Sequence, residues 1–190
     1  MSDVVKHISA VQSLLSIKTI ASPVDAVGQE IIRDLNEWIV KDLIEVRLQN
    51  EEFFNLLEKK FPISVNRIDW SRVNPHREVF FFSGKVEVKC AERQDALAAF
   101  RDTLKKWLSE VGTRDSDVIT FVGDDSEVAV RMTIDTFLKC YPVLLVQPQH
   151  GYVLPADGSW CLNYTMESDL FLGKSSDAIA TGCLDEPIPE

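Results

Sequence analysis

The sequence predicts an α+β fold, with N-terminal helices packed on a mostly antiparallel sheet and a strand-rich C-terminal half. Three observations carry this. Apolar residues recur at helical spacing through the first third of the 190 residues. Strict alternation takes over later, where Val128, Val130, Met132 and Ile134 share one side of a predicted strand. Helices come first and strands last, which is the order expected of an α+β chain rather than an alternating one.

The elements follow in order. Val4, Ile8, Val11 and Leu15 predict a first helix over residues 4–17. Ser22 and Pro23 suit the N-cap and first position of a second, whose stripe is Val24, Val27, Ile31, Leu35 and Trp38. Residues 39–48 can extend that helix, but Ile44, Val46 and Leu48 also alternate as a strand would. Asn50, the following Glu51 and Glu52, and Lys59 and Lys60 bracket a short helix stopped by Pro62. Glu78–Phe82 and Lys85–Cys90 read as a hairpin about Ser83-Gly84. A long helix follows over Glu92–Val111, with Leu97, Phe100, Leu104, Trp107, Leu108 and Val111 inward and Gly112 at its end. The remaining expected strands are Val118–Val122, the Val128–Ile134 alternation, Val143–Val146, His150–Leu154, Ser159–Thr165 and Leu170–Leu172. Pro155-Ala156-Asp157-Gly158 turns between the fourth and fifth of these. Residues 1–174 read as a single domain and residues 175–190 as a partly flexible tail, with Asp69–Arg77 the best candidate for a boundary.

The composition is that of a globular protein, with 45% apolar and 26% charged residues. No apolar run reaches the length of a membrane helix, and the N-terminus lacks the pattern of a signal peptide, so a cytoplasmic protein without a membrane partner is expected. Cys90, Cys140, Cys161 and Cys183 are widely spaced and read as reduced thiols. The net charge of -10 is unevenly placed. Residues 1–114 carry 17 acidic and 17 basic side chains, whereas residues 115–190 carry 13 acidic ones against Arg131, Lys139 and Lys174. Such a field repels nucleic acid and attracts basic partners.

No catalytic motif stands out. A nucleophile elbow, a phosphate-binding loop and a dinucleotide fingerprint are all missing. Cys140, His150 and Cys161 are ten and eleven residues apart, unlike the close pairs of structural zinc sites, and neither a metal nor a cofactor is expected. A small hydrolase or nuclease using His76, Cys140 or His150 is an alternative, since such groups do acid–base and nucleophilic work. Gly123-Asp124-Asp125-Ser126-Glu127 reads as a turn whose paired aspartates could also hold magnesium. An interface would add aromatic anchors, for which Tyr152, Trp160, Tyr164 and Phe171 are the candidates.

The stretches His150-Gly151-Tyr152-Val153-Leu154-Pro155, Gly158-Ser159-Trp160-Cys161-Leu162-Asn163-Tyr164 and Asp169-Leu170-Phe171-Leu172-Gly173 resemble the C-terminal ends of small bacterial immunity proteins. These include the partners of contact-dependent growth-inhibition toxins. The resemblance covers about 25 residues and implies a non-enzymatic protein that binds a cognate toxin domain, often a nuclease with a basic surface, and blocks it. The expected partner-binding residues are Asp124, Asp125, Glu127, Asp157, Glu167 and Asp169, which would pair with basic residues of the toxin without direct contact to nucleic acid. An adaptor or regulatory subunit for another protein is the further alternative.

Overall fold

The computed structural model describes residues 24–48, 51–80, 90–144, 149–167 and 169–177. Its helices are α1 (Ala26–Asp34), α2 (Asn36–Val40), α3 (Glu51–Lys60), α4 (Cys90–Glu110) and α5 (Ile134–Leu144). The strands are β1 (Ile44–Leu48), β2 (Ile63–Ser64), β3 (Arg67–Ile68), β4 (His76–Phe80), β5 (Val118–Gly123), β6 (Val128–Thr133), β7 (His150–Pro155), β8 (Trp160–Thr165) and β9 (Asp169–Lys174). Seven of them form one sheet in the order β1-β6-β5-β7-β8-β9-β4, with every described pairing antiparallel. The α+β architecture is as the sequence predicts. The five central strands come from the C-terminal half, while β1 and β4 close the two edges from the N-terminal half.

One face of this sheet is covered throughout and the other in part. Period-2 alternation sends Phe121, Val130, Val153, Leu162 and Leu172 to one face, where they pack with Ile31 and Leu35 of α1, Leu104 and Leu108 of α4, and Phe137 and Leu144 of α5. The opposite side chains, Tyr152, Leu154, Cys161 and Phe171, meet Leu57 and Phe61 of α3, Ile68 of β3, and Trp70 of a short 3-10 turn. This second core covers only the β7–β9 side. Near β1 and β6 the same face carries Glu45, Arg47 and Arg131 and stays in water. Trp70 packs so near the sheet that a Cβ on Gly173 would stand 2.8 Å from its ring.

Local chemistry explains most element ends. Asp25, not Ser22, caps α1, its carboxylate accepting from the Gly28 N–H at 2.6 Å. The expected long helix breaks at Leu35, and the chain turns at Asp42 (φ 58°) into β1, so the strand reading of Ile44–Leu48 is correct. Gly112, at φ 83°, ends α4 with the paired bonds Thr113 N–H to Leu108 O and Gly112 N–H to Ser109 O.

The structure corrects three expectations. The β6 alternation stops at Thr133, and Ile134 opens helix α5, capped by the Thr133 hydroxyl accepting from the Thr136 N–H. Val143 and Leu144 therefore end a helix instead of starting a strand. Cys90 begins α4 and does not close a strand. Predicted features at residues 4–17, at 81–89 and beyond 177 lie outside the described residues. Ser175 is buried, its N–H bonded to Ser159 O, and Lys60 pairs with Asp177 at 2.8 Å, so the chain stays attached through residue 177.

Candidate functional site: an acidic sheet end beside a groove

The antiparallel register decides which acidic residues meet. Strand β5 ends where β7 begins, with Gly123 opposite Gly151, and β8 ends beside the start of β9. The β5–β6 turn, the first residue of β7 and the β8–β9 turn therefore share one end of the sheet. Asp124, Asp125, Glu127, Glu167 and Asp169 all lie there. Asp157 does not. It sits in the β7–β8 turn at the other end, one strand length or about 20 Å away. Two carboxylates that the sequence reading missed join the cluster. Asp25 accepts from the Glu127 N–H at 3.0 Å, and Glu78 of β4 lies close enough to raise the Asp169 carboxyl.

Burial and neighbouring charge act together on two of these carboxylates. Desolvation first, and then the charge of Asp124, raise the Asp125 carboxyl above the usual aspartate range. Asp169 is raised by desolvation and by Glu167 and Glu78. Glu167 goes the other way, held down chiefly by its own backbone N–H and also by the Thr165 hydroxyl.

His150 sits at the centre of this end. It is buried, and its backbone brackets the β5–β6 turn: its N–H donates to Asp124 Oδ1 at 2.9 Å while its carbonyl accepts from the Asp124 N–H at 3.0 Å. Burial lowers its imidazole pKa, Arg67 adds to that, and Asp124, Glu167 and Asp125 oppose it. Among the described residues, His150 Nε2 and Asp169 Oδ1 are buried atoms without a hydrogen-bond partner.

A groove of about 510 Å³ opens beside this cluster. Phe54, Leu57 and Glu58 of α3 form one part of its lining, and the β2–β3 hairpin another. Tyr152 and Asp124 contribute from the sheet. The hairpin turns on Val65 (φ 50°) and Asn66 (φ 62°), the backbone of a two-residue type I′ turn. Val65 is 91% exposed there.

No protein-family model matches the chain, and neither does any curated protein.

The remaining candidates separate. Cys140, on α5, is buried in the first core with its sulfur 3.6 Å from that of Met132, and burial pushes its thiol up to about 12. Cys161 is on the opposite face of the sheet, also raised by burial. His76 is on edge strand β4, its Nδ1 2.6 Å from Val73 O. His76, Cys140 and His150 thus occupy three different places, and no cluster of metal-ligating residues occurs among the described residues. No described helix is long and apolar enough to cross a membrane. Trp160 and Tyr164 share a face, as alternation predicts, and both pack into the first core. Phe171 stacks on Trp70 at 5.2 Å in the second core. Of the four aromatic candidates only Tyr152 reaches the groove.

Nothing in local sequence spacing points to the groove. Its parts come from α3, a hairpin of two-residue strands, a turn and a central strand. Of its lining, the sequence singled out Tyr152, an aromatic candidate on the predicted His150–Leu154 strand, and Asp124 of the acidic turn.

Proposed function

We propose that the chain is a cytoplasmic immunity protein that neutralises a toxin domain with a basic surface, engaging it through the acidic end of the sheet. One observation carries this reading: five carboxylates from two separate turns and a strand start converge on one end of the seven-stranded sheet. Charges fixed on short turns lose little freedom on binding and act together at long range, steering a basic partner into place. Of the elements that resemble immunity proteins, β8 and β9 flank Glu167 and Asp169 at this end, while the β5–β6 turn adds Asp124, Asp125 and Glu127.

The test is protection. The chain is co-expressed with a candidate toxin, such as the product of a neighbouring gene, and growth is followed. Rescue by the wild-type chain, with loss of rescue when Asp125 and Glu127 are both changed to Lys, supports the reading. Rescue that is indifferent to those reversals counts against it.

A further inference from the structure

We propose that the groove beside the β2–β3 hairpin is a docking site for a basic peptide segment of the partner. An arginine or lysine stem would lie along the apolar wall, with the cationic head reaching Glu58 and Asp124. This rests on the reading above, and it names what part of the partner is gripped.

The lining has the two characters such a side chain needs. Phe54, Leu57, Ile68 and Tyr152 supply apolar surface, and Glu58 and Asp124 supply charge from two different elements. Long basic side chains are themselves divided this way, an aliphatic stem ending in a charge. The half-buried ring of Phe54 adds a face on which a guanidinium can stack. A volume of about 510 Å³ accommodates one such side chain and an apolar neighbour.

Arg67 also lines the groove, so the balance there is two carboxylates against one guanidinium. The field of Arg67 reaches Glu167, Tyr152 and His150. Asp125 and Glu167 add negative charge from the adjoining turns. The net charge selects a cationic occupant. A small free cation would gain nothing from the apolar wall, and a nucleic acid would be repelled by the carboxylates. A peptide matches both features, since peptide-binding grooves combine pockets for side chains with charge at the rim.

The experiment titrates the full chain into fluorescein-labelled octapeptides with Arg-Leu or Lys-Leu cores, read by fluorescence anisotropy. Matched peptides carry citrulline, which keeps the shape of arginine and removes its charge. The expected result is binding of the Arg and Lys peptides and a loss of about tenfold or more with citrulline. Glu58→Gln should weaken binding by about tenfold, the effect of one charge-assisted hydrogen bond. Phe54→Ala should weaken it comparably. Glu58 is exposed, so Glu58→Gln remains informative if Phe54→Ala fails to fold.

Equal binding of citrulline and arginine peptides overturns the proposal, as does binding unchanged in both variants. Displacement of the Arg-Leu peptide by a synthetic peptide of residues 1–23 would assign the groove to this chain instead. Sedimentation showing a dimer that Phe54→Ala dissolves would assign it to a second copy. The same variants in the growth-protection assay separate the two readings. Full protection by Glu58→Gln and Phe54→Ala, with no peptide binding, removes the groove and leaves the toxin reading. Peptide binding without protection against any basic toxin does the reverse.

Discussion

Asp124 and His150 are joined by two hydrogen bonds, one from the His150 N–H to the Asp124 carboxylate and one from the Asp124 N–H to the His150 carbonyl. The pair ties the most acidic turn of the chain to the first residue of a central strand. It makes Asp124 both a structural acceptor and a member of the charged surface, and the two roles can be separated. Asp124→Ala removes the acceptor and should cost about 1–2 kcal/mol of stability. Asp124→Asn keeps an acceptor and removes the charge. It should cost less than about half as much, yet slow association with a basic partner as strongly as the alanine does. Urea unfolding and stopped-flow mixing measure the two effects. Equal destabilisation by both variants would show that the charge, not the hydrogen bond, holds the turn.

Buried His150 makes stability depend on pH. Its folded pKa lies below the ordinary 6.5, because burial and then Arg67 disfavour the charged ring. The unfolded chain therefore binds more protons as pH drops, and stability falls with it. The contribution is complete above pH 6.5 and shrinks from there toward the folded value. Asp125 and Asp169 act in the opposite sense, since their raised carboxyls gain stability on protonation, but in the more acidic carboxylate range. The urea midpoint should thus fall between about pH 7.5 and about pH 5.5, and His150→Gln should flatten that slope. A slope that survives the substitution places the titration elsewhere.

The two ends of the sheet should differ in how they meet a basic partner. Reversal of both Asp125 and Glu127 to Lys should slow association by about tenfold at low ionic strength, and the difference should vanish near ~0.5 M salt. Asp157→Lys, at the opposite end, should change the rate by less than about twofold. An Asp157 effect as large as that of the turn pair would mean the partner binds another face.

Val65 occupies a left-handed backbone conformation that β-branched residues avoid, and it is 91% exposed. Val65→Asn should stabilise the protein by about 1 kcal/mol, the cost of a side chain with a Cβ branch in this region. Thermal unfolding checks this. A destabilised variant would show that the valine makes apolar contacts worth more than its strain.

The two buried thiols should be inert while the protein is folded. Raising the Cys140 pKa from 9.0 to about 12 leaves about a thousandfold less thiolate at neutral pH. In a Cys90→Ser, Cys183→Ser background, Cys140 and Cys161 should resist a thiol reagent until denaturant is added. Rapid labelling of either in the native state would contradict their burial.

Much of this was written locally. Alternation in Trp160, Leu162 and Tyr164 set their common face before any partner strand was known, because successive side chains of a strand point to opposite sides. The helical stripe from Phe100 to Val111 and its Gly112 stop were equally legible. Helix α5 was not. Ile134, Phe137, Leu138 and Tyr141 have helical spacing, but Ile134 also completes the β6 alternation, and Pro142 argues against a helix although it falls in the last turn.

The sequence by itself determined the fold class, the turns after β5 and β7 and the confinement of net negative charge to residues 115–190. Only the tertiary structure decided which of those charges act together. Turn positions follow from local chemistry, but the end of the sheet a turn occupies depends on strand order and register between distant segments. That register gathered Asp124, Asp125, Glu127, Glu167 and Asp169, excluded Asp157, and brought in Asp25 from a helix cap. The groove is nonlocal for the same reason: its walls are joined by packing of α3 and a short hairpin on the sheet, which no spacing along the chain encodes.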